Sequence, residues 1–98
     1  MRFFVKTSAY QNSNMLNMCD EELLGRTIKN EKVQINISKS YYGQRLVDKT
    51  EAQQLMQNSS ILNLVGKETI QKSVDLKIGS QQGVKTIDDV PFRIVFKM

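Results

Sequence analysis

The chain has 98 residues, 40% of them hydrophobic, with four Phe and three Tyr, and this predicts a single domain over residues 1–98 with one modest core rather than a disordered chain. No apolar run approaches the roughly 20 residues of a membrane span, and with Cys19 as the only cysteine no internal disulfide forms, so we expect a cytoplasmic protein. The net charge of +4 suits an acidic partner, and the absence of histidine removes the commonest general base and metal ligand.

The first 19 residues predict a β-hairpin. Phe3, Val5 and Thr7 alternate with more polar neighbours, as in a strand with one buried face. A Gln-Asn-Ser-Asn cluster at 11–14 predicts a turn, and residues 15–19 predict the returning strand.

A short helix is predicted to follow from Asp20. The Asp20 side chain is of the type that caps a helix N-terminus, and Glu21 and Glu22 in the first turn favour the helix dipole. Leucines at 23 and 24 with Ile28 supply an apolar stripe. Gly25 is expected to shorten the helix or bend the chain, since a glycine inside a helix costs about 1 kcal/mol.

Residues 32–38 have the clearest strand pattern, in which Val33, Ile35 and Ile37 are expected to face inward. A loop with Tyr41, Tyr42 and Gly43 is predicted next.

Two longer helices are predicted in the second half of the chain. One begins near Thr50, with Gln53 completing a capping box, although Asp48 with Glu51 forms a competing box. A short apolar strand or connection at 61–65 separates it from the other helix. That helix opens at Gly66, buries isoleucines at 70 and 78 with Val74, and is predicted to end at Gly79. Residues 84–87 and 92–98 then alternate as two short strands. The predicted fold class is therefore α+β: a mainly antiparallel or mixed sheet with two to three helices packed on it.

The groups with potential chemistry each have a structural explanation. Cys19 is expected to be a buried, slowly reacting thiol, because acidic neighbours oppose thiolate formation and no histidine can deprotonate it. The carboxylates at 20–22 are explained by helix capping, and Asp88 with Asp89 by a turn before Pro91. No metal, cofactor or catalytic residue is predicted.

The best binding candidate is the tyrosine loop. Tyr41 and Tyr42 lie between Lys39 and Arg45, and aromatic rings beside cations can stack bases while the cations meet phosphates. If the chain is extended there, only one tyrosine can point inward, and the other is expected to be exposed.

Four motifs, taken in order, resemble a small archaeal family known only as domain of unknown function family 424. They are the segment at 19–25 that begins Cys19-Asp20 and ends at Gly25, the Tyr41-Tyr42-Gly43 loop, the segment from Asn63 to Gly66, and Val90-Pro91. The resemblance implies a compact α+β domain in the archaeal cytoplasm and supplies no substrate, cofactor or partner. The family pattern often has histidine after the proline, where this chain has Phe92, and this departure favours a binding or structural role over catalysis.

The favoured function is a non-enzymatic binding module for RNA or a ribonucleoprotein, with Lys39, Tyr41, Tyr42 and Arg45 as its surface. One alternative is a protein–protein adaptor or homodimer that uses an edge strand such as residues 92–98. The other is a metal-dependent enzyme that uses carboxylates. A positive patch at the tyrosines favours RNA, a large exposed apolar face favours assembly, and converging carboxylates favour catalysis.

Overall fold

A computed structural model describes residues 1–79 and 83–97, and in these residues the chain forms eight strands and four short helical segments. The strands are β1 (Arg2–Tyr10), β2 (Ser13–Asp20), β3 (Thr27–Lys29), β4 (Gln34–Asn36), β5 (Arg45–Asp48), β6 (Ile61–Val65), β7 (Lys85–Ile87) and β8 (Val90–Phe96). The helices are α1 (Lys39–Tyr42), α2 (Lys49–Asn58) and α3 (Lys67–Asp75), with a 3-10 turn at Glu21–Leu23.

Six of these strands form one mixed sheet in the order β5-β1-β2-β6-β8-β7. Strands β2 and β6 are parallel, and every other neighbouring pair in this sheet is antiparallel. The β1–β2 hairpin turns at Gln11 and Asn12, whose φ angles of 50° and 66° place both in the left-handed region of a tight hairpin turn. The predicted α+β class, with a mixed sheet and three helices, is confirmed.

One face of the sheet, which we call the helix face, carries α2 and α3. Apolar side chains from the central strands, among them Phe3, Leu16 and Leu62, pack there against Ala52 and Met56 of α2 and Ile70 of α3. Alternation along each strand sends every second residue to this face. Both long helices lie on the same face, as the sequence predicts.

The other face, which we call the hairpin face, is covered over only part of its area. The 3-10 turn, the small β3–β4 sheet and α1 pack there and enclose a second core. Cys19 and Val65 contribute to this core from the sheet, while Ile28, Ile37 and Tyr42 contribute from the covering segments.

The prediction of a helix that begins at Asp20 and includes Ile28 is wrong. Only the three residues of the 3-10 turn are helical, and Ile28 lies in β3 rather than on a helical stripe. Gly25, with a φ of +90°, turns the chain, and its N–H donates to the Ile37 carbonyl at 2.7 Å. This hydrogen bond lies next to the β3–β4 pairing. The chain after Leu23 therefore forms a hairpin, although Asp20 and the two glutamates favour a helix.

The strand predicted at 32–38 is shorter in the structure, and the predicted tyrosine loop is a helical turn. Strand β4 covers only three residues, so Val33 falls in the hairpin turn and is 46% exposed. Ser38 caps α1 by accepting a hydrogen bond from the Tyr41 N–H at 3.3 Å. Gly43 ends the helix, and its N–H donates to the Lys39 carbonyl at 2.8 Å.

The ends of the two long helices settle the open alternatives. Asp48 caps α2 by accepting from the Glu51 N–H at 2.9 Å, so the helix begins at the competing site rather than at Thr50, while the Glu51 carboxylate pairs with Arg45 instead of completing a box. Helix α3 ends at Asp75, before the predicted Gly79, because Lys77 adopts a φ of 59°. The N–H groups of Lys77 and Ile78 donate to carbonyls within the last turn, which forms a Schellman motif without glycine.

Strand β8 lies between β6 and β7, but β7 pairs only with Val90, Pro91 and Phe92, so within the described residues the edge strand predicted from residue 92 is paired on that side at Phe92 alone. Residue 98 lies outside the described residues. Arg93 and Val95 point to the helix face and are buried, whereas Ile94 and Phe96 point to the hairpin face. Among the described residues, no helix is both long enough and apolar enough to span a membrane.

Candidate binding surface

Three of the sequence motifs meet where β2 and β6 end side by side. The Asp20 carboxylate, which is 3% exposed, accepts hydrogen bonds from the Glu68 N–H at 3.1 Å, the Thr69 N–H at 2.8 Å and the Thr69 Oγ1 at 2.7 Å. Asp20 therefore caps α3, which is 48 residues away in sequence, rather than the turn that follows it. Gly66 lies directly against this carboxylate, since a Cβ there would be 2.4 Å from Asp20 Cγ.

The Val90-Pro91 motif is the third one at this junction, and it joins through the backbone. The Gly66 N–H donates to the Pro91 carbonyl at 2.8 Å. A cleft of about 360 Å³ opens beside this junction. Its polar lining mixes both charges: Asp20, Glu22, Arg26, Lys67, Glu68, Asp88 and Asp89.

Several acidic side chains in or next to this cleft have structural partners. Asp88 and Asp89 form the β7–β8 turn with φ values of 57° and 63°, and the Asp88 carboxylate accepts from the Lys29 N–H at 3.5 Å. Glu21 pairs with Arg2 at 3.0 Å. Within residues 1–79 and 83–97, no three acidic or cysteine side chains are placed to hold a metal ion.

Cys19 lies in the second core with no exposed surface. Burial raises the pKa of its thiol to about 12, and the charges of Asp20 and Glu22 add to the increase. Tyr42 packs beside it, and burial followed by the charge of Cys19 raises the pKa of that phenol to about 12. Both groups are therefore protonated at neutral pH.

The two tyrosines of the predicted binding segment have different positions. Tyr42 is 5% exposed and belongs to the second core, whereas Tyr41 is 63% exposed. As the sequence predicts, one tyrosine points inward and the other outward. The two residues lie in a helical turn, however, and not in an extended segment. The Tyr41 carbonyl accepts from Asn17 Nδ2 at 3.0 Å, so this turn is held against the middle of the sheet.

The two predicted cations are not on the same face. Lys39 is the first residue of α1 and is exposed on the hairpin face. Arg45 pairs with Val5 in the sheet register, which directs its side chain to the helix face, where it forms an ion pair with Glu51 of α2. The structure thus groups Lys39 with Tyr41 and separates Arg45 from them.

Beyond the second core, the hairpin face has no covering segment in the described part of the chain. We call this region the open half. It includes the side chains Met15, Asn17, Ile61, Asn63, Ile94 and Phe96, which the register places in two adjacent rows across β2, β6 and β8. Ile94 is 57% exposed and Phe96 is 65% exposed.

None of the six side chains of the open half is charged. Along one border, Lys6 pairs with Asn17 in the register, and its ammonium donates to the Ser40 carbonyl at 2.8 Å. Lys39 and Tyr41 lie on the same turn of α1 as Ser40. The cleft lies at the opposite end of the same strands, and there five carboxylates outnumber two cations, Arg26 and Lys67.

The sequence pattern does not identify Asn63, Ile94 and Phe96 as surface residues. Strand β8 is apolar at both alternating sets of positions, which reads equally well as a strand buried on two faces. The one indication of an uncovered face is the short length of the chain. Three helices and one small hairpin are too few to cover both faces of a six-stranded sheet.

Comparison with known proteins gives a family without an assigned activity. A family model described as Protein of unknown function (DUF424) matches residues 8–98. No curated protein matches the chain. A solved structure described as an uncharacterized conserved protein from Methanopyrus kandleri is similar over 100% of this chain and 95% of that chain, with a TM-score of 0.77 and 17% identity. At that identity the likeness shows a shared fold.

Proposed function

The chain belongs to this family of unknown function, as its four motifs indicate, and we propose that it is a non-enzymatic module that binds single-stranded RNA on the open half. The observation that carries the proposal is a pair of exposed aromatic side chains: Phe96, 65% exposed, lies on the uncharged open half, and Tyr41, 63% exposed, lies on α1 at its border. A rigid sheet that presents aromatic rings is a recurring way to bind unpaired bases.

Stacking on these rings supplies the affinity. Each base that stacks on an aromatic side chain contributes about 1–3 kcal/mol, and every base offers a π-face. Tyr41 lies at the β2 side of the open half, because Asn17 Nδ2 donates a hydrogen bond to its carbonyl. Phe96 lies on β8. Two strand spacings of about 4.8 Å separate β2 from β8, so an extended single strand that lies across the open half can span from one strand to the other.

Charge favours the same ligand. The protein carries a net charge of +4, and Lys6 and Lys39 lie beside Tyr41. The cleft at the other end of these strands has an excess of negative charge, with five carboxylates against two cations. Phosphates that follow the bases across the open half therefore meet lysines first.

The test is a titration of fluorescently labelled, mixed-sequence single-stranded RNA of about ten nucleotides. We expect Tyr41→Ala and Phe96→Ala each to weaken binding by about 1–3 kcal/mol, which is the effect of one lost base stack. Tyr41→Phe keeps the ring and should bind as the wild type does. Arg45→Ala is the matched control, since its side chain is paired with Glu51 on the opposite face.

Two results would contradict the RNA proposal. One is an absence of wild-type binding at 50 mM salt or less, where phosphate contacts are strongest. The other is equal loss in Arg45→Ala and Phe96→Ala, which would place the ligand on a different face.

Self-association is the second candidate, and the exposure of both Ile94 and Phe96 favours it. Apolar patches of several hundred Å² on small proteins often mark protein interfaces. A second copy that covers the open half would make the RNA surface inaccessible. Sedimentation of the protein from about 10 to 500 μM, without RNA, separates the two: concentration-dependent dimerisation that Phe96→Ser abolishes supports assembly, and a monomer at all concentrations supports RNA.

A further inference from the structure

We infer that Asn63 is a specificity-determining residue of the open half, where its amide reads the edge of a bound adenine. The inference rests on the proposed RNA function and adds a base preference to it. Asn63 begins the motif that ends at Gly66, and the structural role of that motif at the β2–β6 junction involves Gly66 but not Asn63.

Asn63 occupies an unusual place in its strand. Strand β6 reads Ile-Leu-Asn-Leu-Val, so its central residue is the one polar side chain in an apolar run. The register pairs Asn63 with Asn17 on β2 and with Ile94 on β8, which puts its side chain in the middle of the open half. Its side chain is partly exposed and forms no hydrogen bond to any residue that the structure describes.

The neighbouring amide is already used by the protein. Asn17 Nδ2 donates to the Tyr41 carbonyl at 3.0 Å, and Asn17 Oδ1 is covered from solvent. Asn17 therefore holds α1, and with it the Tyr41 ring, at the border of the open half. Of the two adjacent amides, only that of Asn63 has its donor and acceptor available to a ligand that lies on the sheet.

Adenine fits this donor and acceptor. A carboxamide forms two parallel hydrogen bonds with adenine N6 and N7, in which the amide oxygen accepts and the amide nitrogen donates. In a single strand these base edges are free of pairing. Strand β6 lies between β2, against which the Tyr41 turn is held, and β8, which carries Phe96, so a base stacked on either ring has room to turn its edge toward Asn63.

The experiment compares the affinities of ten-nucleotide A, C and U homopolymers for wild type, Asn63→Ala and Asn63→Ser. For wild type we expect a preference for A over C and U of roughly 5- to 150-fold, which is the range for one bidentate pair. Both variants should bind the three RNAs within about 3-fold of one another and retain stacking-driven affinity. Asn17→Ala is the matched control: loosening α1 should weaken all three RNAs and keep their order.

The outcomes separate this inference from the function on which it rests. Equal wild-type binding of the three RNAs, or a preference for C or U, overturns the role of Asn63 and leaves RNA binding intact. An adenine preference that survives in both Asn63 variants, each with the circular dichroism spectrum of the wild type, also overturns it. Absence of wild-type binding to any RNA overturns the proposed function and this inference together.

Discussion

Asp20 and Gly66 constrain one another at the level of single residues. The Asp20 carboxylate is buried and accepts three hydrogen bonds at the start of α3. It can reach those donors only because residue 66 has no side chain, and Gly66 also has a φ of +112°, which favours glycine. Two separate motifs of the sequence are therefore two halves of one contact.

A substitution at Gly66 should for this reason be more harmful than backbone strain alone explains. Gly25 provides the control, because it also has a positive φ, +90°, but no atom lies within 4 Å of a Cβ placed there. We expect Gly25→Ala to cost about 1–2 kcal/mol of unfolding free energy. Gly66→Ala should cost about 3–5 kcal/mol, since it also displaces a buried, hydrogen-bonded carboxylate. Urea denaturation measures both.

The Asp20→Ala background supplies the internal check on this contact. Removing the carboxylate removes the atoms that the new methyl group would meet, so Gly66→Ala should cost less there than in the wild type. Additive losses from the two substitutions would mean that the two residues do not act on one another.

Cys19 should make the protein less stable in alkali. The thiol pKa is about 12 in the folded state against an ordinary 9.0, so below pH 9 both states hold the proton. Between pH 9 and 12 the unfolded chain releases it and the folded chain does not, so the unfolding free energy falls as pH rises, by at most about 1.4 kcal/mol per pH unit for one proton. Comparing wild type with Cys19→Ala across this window isolates the contribution, and parallel pH profiles for the two proteins would contradict it.

At the scale of elements, β8 has two faces with opposite tasks. Val95 is 7% exposed and packs in the core on the helix face, whereas the adjacent Phe96 is 65% exposed on the open half. Phe96 shares this face with the exposed Ile94, and a contiguous exposed apolar patch is typical of a contact surface.

Substitutions at these two neighbours should therefore separate folding from binding. We expect Phe96→Ser to change the unfolding free energy by no more than about 0.5 kcal/mol, the usual range for surface positions. Val95→Ser should cost about 2–4 kcal/mol, because it leaves a cavity and buries a hydroxyl group. Thermal denaturation measures both; a large loss for Phe96→Ser would mean that its ring is part of the core.

Elements with strong periodicity and local end signals were predictable from the sequence. The terminal strands, β6 and the two long helices have patterns that their tertiary positions reinforce, as at Phe3 and Val5 in β1. Between Asp20 and Tyr42 the sequence patterns are local, whereas the structure there depends on contacts with residues distant in the sequence. Asp20 is a capping residue, but its donors lie in α3, and Gly25 bonds to Ile37 across a hairpin. Neither partner can be identified from spacing along the chain.

The candidate site was predictable in part for a similar reason. Tyr41 with Lys39 could be found, because exposed aromatic and basic residues are adjacent in the sequence. The open half as a whole could not be found, because its residues come from three strands that become neighbours only through the strand order. Arg45 is close to Tyr41 along the chain but lies on the other face through a single step of strand alternation.

At the scale of the whole molecule, charge is divided along the strands of the sheet. The carboxyl ends of β2 and β6 face a cleft whose lining has five carboxylates and two cations, Arg26 and Lys67, so negative charge is in excess there. The other end of the hairpin face has uncharged side chains with lysines at its border. A polyanion that approaches the hairpin face is therefore directed to the open half rather than to the cleft.

This division predicts a specific salt dependence for RNA binding. Each phosphate neutralised on a single strand contributes about −0.7 to the slope of log K against log salt. Two contacts, at Lys6 and Lys39, should give a slope of about −1.4, and Lys39→Ala should make it less steep by about 0.7. Lys49 is the matched control, since it is the first residue of α2 on the helix face as Lys39 is of α1 on the hairpin face. If Lys49→Ala reduces the slope as much as Lys39→Ala does, the attraction comes from net charge alone and the open half is not where the strand lies.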